Sequence, residues 1–249
     1  MIVALSADVK KRAPVVNTPL LMRRLHKWLA LVVGTQLLLW AFSGFYMVVV
    51  DIDIIHGDHL IRTTAAPDPV ELKQLASLPA VANAYPDLLT LKLRSLLDQP
   101  VYQLTTPQET FLVDVVNGER VAPLTQPQLR SLARSYYARD AGIDSLQYLQ
   151  SDFPDEVRFL STPVWRVNFD DWHGTSLYID AATGELVTRR HTLWRVFDFL
   201  WMLHIMDYET RDSINTLLLS VAAAFGLVTV LIGAWLTLFM RGWIGRRSR

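Results

Sequence analysis

Cysteine is absent from all 249 residues of the chain. Its absence excludes disulfide bonds, iron–sulfur clusters, thiol chemistry and the C-x-x-C-H attachment of c-type haem. The sequence also lacks the G-x-x-x-x-G-K and G-x-G-x-x-G phosphate-binding loops and the H-E-x-x-H zinc-protease motif. Nucleotide binding and zinc proteolysis are therefore without support. Any domain that folds outside the cytoplasm must be stabilised by its own hydrophobic core.

Charge is missing from two long stretches. Residues 28–50 contain 23 residues without a charge, and residues 213–240 contain 28 more. About 20 apolar residues cross the hydrocarbon core of a bilayer as a helix, so both stretches predict transmembrane helices. The first is longer than the apolar core of a signal peptide, roughly 7–15 residues, and no A-x-A-like cleavage site follows it. It therefore predicts a retained anchor.

The formal net charge of zero hides an uneven distribution. Six basic residues and one acid precede Trp28, and four arginines and no acid follow Met240. Residues 51–212 hold 14 basic and 23 acidic residues. Basic residues that flank transmembrane helices stay in the cytoplasm. We therefore expect a protein of the bacterial inner membrane with both termini cytoplasmic and residues 51–212 periplasmic. The acidic excess of the outer segment excludes a nucleic acid as partner.

A short piece of sequence occurs twice in the outer segment. It reads PVYQLTTPQETFLVDVVNGERV from Pro100 and PVWRVNFDDWHGTSLYIDAATGELV from Pro163. PVYQL aligns with PVWRV, LVD with YID and NGE with TGE. Alternating apolar residues predict half-buried strands, and the glycine in each copy predicts a turn. Each copy therefore predicts a β-hairpin closed by a further turn; the alternative is two unrelated hairpins.

A helix start precedes each copy. Asp68 is followed by Pro69 and Glu71, and Thr125 is followed by Pro127 and Gln128. This arrangement is typical of the first turn of a helix. The chain thus predicts a helix with antiparallel strands at residues 68–121 and again at 122–190. Two such units have enough strands to share a core.

The tandem helix-and-hairpin units, with their D-x-x-x-G-E turns, resemble the PepSY domain. The flanking RRLHKWLALVVG and the LHIMDY before the last span resemble PepSY-associated transmembrane proteins. The resemblance covers most of residues 21–241. It implies an α+β membrane protein in which two transmembrane helices flank an extracytoplasmic domain of two tandem PepSY-like units. Some relatives modulate peptidases, whereas others carry electrons through b-type haem, in places to reduce ferric siderophores.

These patterns divide the chain into eight segments. The N-terminal half holds a cytoplasmic tail (1–25), transmembrane helix 1 (26–50), a membrane-proximal linker (51–67) and PepSY-like unit 1 (68–121). The C-terminal half holds PepSY-like unit 2 (122–190), an interfacial aromatic helix (191–212), transmembrane helix 2 (213–240) and a basic cytoplasmic tail (241–249).

In a chain without cysteine, histidine is the leading candidate for binding haem iron. One face of the helix before the last span combines aromatic residues with a histidine: Trp194, Phe197, Trp201, His204 and Tyr208. The resemblance implies that His26 and His204 bind haem b, and Trp201 and Phe197 would lie beside His204. The expected topology separates the two histidines, so a homodimer or another membrane subunit would complete each site. The alternative is an aromatic helix that rests in the lipid interface.

A second cluster follows the first span in the stretch DIDIIHGDHLIR. Its carboxylates and imidazoles suit a divalent metal: Asp53, His56, Asp58 and His59. The alternative is a polar exit from the membrane. The loop FDDWHGTS in the second repeat either contacts a partner or is a plain hairpin loop.

Small and polar residues recur along one stripe of the last span: Asn215, Ala222, Gly226, Gly233 and Thr237. In lipid, helices associate by packing, and small residues let them approach closely. The stripe predicts contact with the first span, which contains Gly34 and Gly44, or with another chain. A chance arrangement is the alternative.

Two functions fit these patterns. The first is a membrane-anchored periplasmic PepSY-domain protein that serves a membrane redox system as an accessory or electron-transfer component. It would use b-type haem, with iron or siderophore reduction as the reaction. The second is a non-catalytic scaffold or modulator of a membrane complex or an extracytoplasmic peptidase. Both place the chain in a lipid bilayer.

Overall fold

The computed structural model describes residues 18–62 and 78–247, which form two compact units. Unit 1 comprises the chain up to Phe45 and the chain from Trp201 onward, and unit 2 comprises Tyr46–Leu200. The helix start expected at Asp68 lies outside the described residues.

Unit 1 is built mainly from two long helices, α1 (Thr18–Val49) and α6 (Leu217–Arg247). The apolar stretches Leu20–Val49, of 30 residues, and Leu217–Leu238, of 22 residues, are long enough to cross a bilayer. Among the described residues of these helices, five hydroxyl groups donate to carbonyl oxygens four residues earlier: those of Thr35, Ser43, Ser220, Thr229 and Thr237. These bonds matter because lipid offers no partner for a polar group.

Unit 2 contains two antiparallel sheets. The first has the strand order β1-β2-β3, with β1 at Thr90–Leu96, β2 at Gln99–Thr105 and β3 at Thr110–Asp114. The second has the order β4-β5-β6-β7, with β4 at Gly142–Leu149, β5 at Val164–Asp170, β6 at Ser176–Asp180 and β7 at Leu186–Arg190. Its helices are α2 (Ile52–His56), α3 (Leu78–Ala84), α4 (Gln126–Tyr136) and most of α5 (Thr192–Ile205). The mixture of helices and antiparallel sheets agrees with the expected α+β class.

The duplicated sequence folds into the same hairpin twice. Val101 pairs with Asp114 in the first sheet, and Val164 pairs with Asp180 in the second, so aligned positions keep the same register. Each hairpin gains a preceding strand outside the aligned pieces, β1 beside β2 and β4 beside β5. The second copy continues into β7, whereas the first continues into an isolated bridge.

The same aspartate turn follows each hairpin. The Asp114 carboxylate accepts hydrogen bonds from the backbone N–H groups two and three residues later, at 2.7 and 3.1 Å. The Asp180 carboxylate does the same at 3.0 and 2.8 Å. Gly118 and Gly184, four residues after each aspartate, have φ angles of +72° and +69°. Both turns therefore need the left-handed backbone that glycine adopts at least cost.

The largest core of unit 2 joins the two sheets through α4. Its buried side chains come from the first sheet (Leu96, Val101, Leu112), from α4 (Leu129, Leu132, Ala133, Tyr136) and from the second sheet (Val167, Phe169, Leu177, Ile179). At the N-terminus of α4, the backbone N–H and the hydroxyl of Thr125 donate to Gln128 Oε1 at 2.9 and 2.7 Å. Near its C-terminal end, Tyr136 donates to the carbonyl oxygen of Gly184 at 2.9 Å. The two repeat copies thus share one core.

The two turn glycines lie in different surroundings. A Cβ atom at Gly184 would stand 3.0 Å from methyl carbons of Leu132 and Leu96, whereas a Cβ at Gly118 would meet nothing within 4 Å. We expect Gly118→Ala to lower the free energy of unfolding by about 1 kcal/mol, because an alanine is strained at positive φ. Gly184→Ala should lower it by about 2–4 kcal/mol, because overpacking is added to that strain.

Urea denaturation of the detergent-solubilised chain, followed by circular dichroism, measures both effects. Equal losses for the two variants would show that the surroundings of Gly184 contribute nothing, contrary to this prediction.

Candidate functional site

His204 lies in the last turn of α5 and contacts Ser43 of α1 inside unit 1. The Ser43 hydroxyl, which is 1% exposed, donates to the carbonyl oxygens of Leu39 at 2.8 Å and Trp40 at 3.2 Å. Its oxygen also lies 2.8 Å from Nδ1 of His204. A hydroxyl has one proton, and a carbonyl can only accept. If the Ser43 proton stays on these carbonyl oxygens, Ser43 accepts a hydrogen bond from Nδ1–H of His204, and the lone pair of the imidazole is on Nε2.

The aromatic residues that share a face with His204 have partners of their own. The Trp201 indole N–H donates to the carbonyl oxygen of Arg211 at 2.9 Å. Trp194 packs under the guanidinium of Arg190, which lies 3.8 Å from the ring centroid. Phe197 is half-buried earlier on α5, within unit 2. We expected Trp201 and Phe197 beside the haem. Trp201 is in the same unit as His204, whereas Phe197 is in unit 2.

His26 lies near the start of α1, and its ring packs on Gly233 of α6. A Cβ atom at Gly233 would stand only 2.9 Å from Cε1 of His26. Nδ1 of His26 is buried and has no hydrogen-bond partner among the described residues. Seventeen residues of helix separate His26 from Ser43, a rise of about 26 Å. Because His204 lies at Ser43, His26 and His204 cannot bind the same iron within one chain.

Two glycines of the small-residue stripe, Gly226 and Gly233, face α1. Gly233 holds the His26 ring, and a Cβ atom at Gly226 would lie 4.0 Å from Val33. The first span contains two glycines. A Cβ atom at Gly44 would lie 3.6 Å from Cε1 of His204, whereas a Cβ atom at Gly34 would meet nothing within 4 Å. Among the alternatives for this stripe, the structure thus supports packing against the first span.

The residues predicted as metal ligands are spread around α2 and the turn after it. Asp58 forms an ion pair with Arg189, whose Nε also donates to the carbonyl oxygen of His56 at 3.0 Å. Asp53 is exposed in the first turn of α2, and His59 is exposed after it. No group of three histidine, aspartate or glutamate side chains is placed to hold a metal ion within residues 18–62 and 78–247. A metal site at these residues stays a prediction.

His59 instead contacts two histidines that are distant in the sequence. Its ring centroid lies 6.1 Å from that of His173, in the β5–β6 loop, and 6.0 Å from that of His191, before α5. We call these three residues the outer histidine cluster. His191 is fully buried, and its Nε2 donates to the carbonyl oxygen of Ile55 at 2.9 Å. Nδ1 of His191 and Nε2 of His173 are buried without a hydrogen-bond partner in the described part of the chain.

Comparison with known families identifies the chain. The family described as PepSY-associated TM region matches residues 23–249. The protein belongs to this family. No curated protein and no solved structure gives a significant match. Together with the two bilayer-length helices, the family establishes a membrane-associated PepSY protein.

In this PepSY-associated protein, the outer histidine cluster is adjacent to a hydrogen-bonded carboxylate. Asp171 accepts from the Tyr137 hydroxyl and from the N–H and hydroxyl of Thr175, at 2.8 and 2.7 Å for the latter two. Burial opposes its ionisation, but these bonds outweigh burial and hold the pKa of Asp171 below its usual value. Burial, together with the bond to this carboxylate, raises the pKa of Tyr137 to about 12.

The same surroundings keep the histidines neutral. Burial lowers the pKa of all three imidazoles in the outer histidine cluster. The positive charge of Arg139 lowers the pKa of His59 and His173 further. The cluster therefore resists protonation around neutral pH.

The contact between His26 and Gly233 can be tested with two glycine variants. Gly233→Ala should destabilise the packing of α1 on α6 by about 1–3 kcal/mol, because the new methyl group overlaps the imidazole ring. Gly34→Ala is the matched control, since it adds the same methyl group to a helix of the same unit where a Cβ meets no atom within 4 Å. Thermal melting in detergent should show a lower Tm for Gly233→Ala alone. Equal melting of both variants would contradict the packing described here.

The outer histidine cluster predicts a loss of stability in mild acid. The pKa values of these histidines are lower in the folded chain than in the unfolded chain, so the unfolded chain binds protons first as the pH falls. The free energy of unfolding should therefore decrease as the pH drops below about 6.5, and the cluster should have no such effect at higher pH. His191→Gln retains an N–H donor for Ile55 but does not titrate, so this variant should lose less stability.

Denaturation midpoints measured between about pH 8 and pH 5.5 test this expectation, because the linkage acts within that range. His56→Gln, a change on the exposed surface of α2, is the control. The expectation fails if His191→Gln and the unmodified chain lose equal stability on acidification.

Proposed function

We propose that this protein is a periplasm-facing accessory or electron-transfer component of a membrane redox system and that His204 and His26 are ligands of b-type haem. The observation that carries the proposal is the hydrogen bond between Ser43 and His204. A histidine that ligates a metal almost always donates its other ring N–H to a fixed acceptor, which sets the tautomer and the orientation of the ring. Ser43 would be that acceptor, and Nε2 of His204 would then carry the lone pair that iron requires.

The residues around both histidines fit a haem ligand. Ser43 is itself held by the carbonyl oxygens of α1, so the acceptor for His204 cannot rotate away without breaking its own bonds. His26 carries a buried ring nitrogen without a partner among the described residues, in a position where Gly233 leaves room for the ring. When bound, haem supplies one-electron chemistry. The contribution of the protein is to orient the imidazoles and to exclude water with apolar helices.

Each histidine would supply one ligand to a haem iron. All six histidines lie in the described residues, and unit 1 contains two of them, His26 and His204. The two are separated by about 26 Å of helix. A second ligand for either iron would come from a second copy of the chain or from another membrane subunit. An electron that crosses from the His26 side to the His204 side would reach the outer surface, where a ferric siderophore is a suitable acceptor.

A second candidate function is supported by a cleft in unit 2. An open cleft of about 1270 Å³ is lined by residues of both sheets and of the loops beside them. Tyr148, which is 50% exposed, packs against Trp165 in its wall with ring centroids 5.0 Å apart. Grooves lined by aromatic side chains bind extended, proline-rich peptides. This cleft favours a scaffold or modulator that binds a partner, and such a function does not need the transmembrane histidines.

A visible difference spectrum, dithionite-reduced minus air-oxidised, of the mildly solubilised protein expressed with sufficient haem tests the first function. We expect sharp b-type bands that decrease by at least half in His204→Ala and in His26→Ala. Ser43→Ala should keep the haem of the His204 site but shift its midpoint potential, because the imidazole loses its hydrogen-bond acceptor. His56→Ala, at the exposed end of α2, should leave the spectrum unchanged.

A flat spectrum from folded protein that is isolated with its native membrane partners would rule out the haem function. Bands that survive both histidine substitutions would assign the haem to a partner subunit and favour the scaffold.

A further inference from the structure

Trp172 is one of the most exposed large hydrophobic side chains of the chain. It lies in the loop between β5 and β6 and is 84% exposed, although it stacks on His173 with ring centroids 3.6 Å apart. An indole in this position exposes both its apolar face and its polar N–H. A tryptophan this exposed on a hairpin loop suits a partner that offers both an apolar region for the ring and a hydrogen-bond acceptor for the N–H.

The loop that carries Trp172 is bonded to the start of α5. The carbonyl oxygen of His173 accepts hydrogen bonds from the N–H and the hydroxyl of Thr192, both at 2.8 Å. The carbonyl oxygen of Gly174 accepts from Arg195 Nη1 at 2.7 Å. Thr192 is the first residue of α5 and Arg195 lies in its first turn. The position of Trp172 is therefore fixed relative to the beginning of this helix.

The start of α5 is in turn bonded to the end of α1. The Tyr46 hydroxyl donates to the carbonyl oxygen of Leu193 at 3.1 Å. Tyr46 lies three residues before Val49, the last residue of α1, and Val48 and Val49 are exposed as expected of a lipid-facing helix end. A short series of hydrogen bonds thus connects the Trp172 loop to the end of the first transmembrane helix.

The residues around this junction suit a lipid interface. Ile52 and Ile54 are exposed on α2, which begins three residues after α1 ends. The outer histidine cluster joins α2 to the β5–β6 loop, since Ile55 is held by one of its rings. Arg139 is exposed, and its charge acts on His59 and His173 of the same cluster. Exposed apolar side chains beside a cation match the headgroup region of a bilayer.

We propose that the β5–β6 loop docks on the outer surface of the bilayer, with the Trp172 indole in the lipid interface. Tryptophan concentrates at this depth because its ring is apolar while its N–H needs a polar partner. The interfacial region extends about 5–8 Å beyond the hydrocarbon core on each side. A loop connected through the start of α5 to the last turn of a transmembrane helix lies within reach of that layer. The loop then restrains unit 2 against the membrane as a third attachment, in addition to the two spans.

The absence of cysteine makes a direct test possible, because a single introduced thiol can be labelled without other changes. The probe is a nitroxide on Trp172→Cys in the full-length chain, reconstituted in vesicles of phosphatidylcholine and phosphatidylglycerol. The control is the same label on Val116→Cys, a residue 68% exposed at the turn after β3. Collision with oxygen, which concentrates in lipid, and with a water-soluble nickel chelate reports the depth of each label.

We expect a ratio of oxygen to nickel collisions several-fold higher at position 172 than at position 116. Equal ratios at the two positions would place the loop in water and overturn the proposal. A label at position 172 that is shielded from both reagents would also overturn it, because it would show that a protein partner or a second copy covers the loop.

A second measurement uses a more conservative substitution at the same position of the loop. Trp172→Phe keeps an aromatic ring on His173 but removes the indole, so the difference in fluorescence between this variant and the unmodified chain isolates Trp172 from the other seven tryptophans. Lipids brominated near the headgroup should quench this difference signal by more than half. A difference signal that brominated lipids leave unchanged would overturn the proposal even if the cysteine variant is misfolded.

Discussion

Unit 2 of this protein depends on one helix shared by two small sheets. Neither sheet can bury its inner face alone, since each has only three or four short strands. The apolar side of α4 covers both, and the turn of the second repeat closes the core where Gly184 meets Leu132 and Leu96. Duplication of the hairpin therefore has a physical reason, because a second copy supplies the sheet that the first one lacks.

A different constraint governs the membrane-spanning unit. Hydrophobic burial cannot hold helices together in lipid, so close packing and hydrogen bonds must do so. Both occur at histidines, where Gly233 lets α6 approach His26 and Ser43 bonds to His204. The two histidines thus contribute to the packing of this unit, and they are also the residues that we propose as haem ligands. A histidine that is already oriented by its surroundings loses little freedom when it binds a metal.

The start of α5 is bonded to the second sheet of unit 2 by long-range polar contacts. Glu156, 12% exposed in its side chain, accepts hydrogen bonds from Tyr178 at 2.5 Å and from Arg195 at 2.6 and 3.2 Å. It thereby bonds the first turn of α5 to the second sheet. The outer histidine cluster joins α2 to the same place. Within unit 2, α2 and the start of α5 are therefore both held by contacts with the rest of the unit.

The sequence by itself determined the elements that have a local signal. Two uncharged stretches of sufficient length indicated the spans, the repeated PV…D…G pattern indicated both hairpins, and Thr125 with Gln128 indicated the start of α4. The family also followed from sequence, through short motifs around His26 and His204. Each of these features depends on residues that are close in the sequence, so a local pattern of residue types predicts it.

Only the tertiary structure decided which distant residues meet. Strands β1, β4 and β7 were not expected, because a strand at the edge of a hairpin is selected by its partner and not by its own alternation. His59 was grouped with Asp53, His56 and Asp58, its neighbours in sequence, yet it contacts histidines from two other loops. The tautomer of His204 likewise depends on a serine 161 residues away. Such contacts depend on the fold of the whole chain, and local sequence patterns do not predict them.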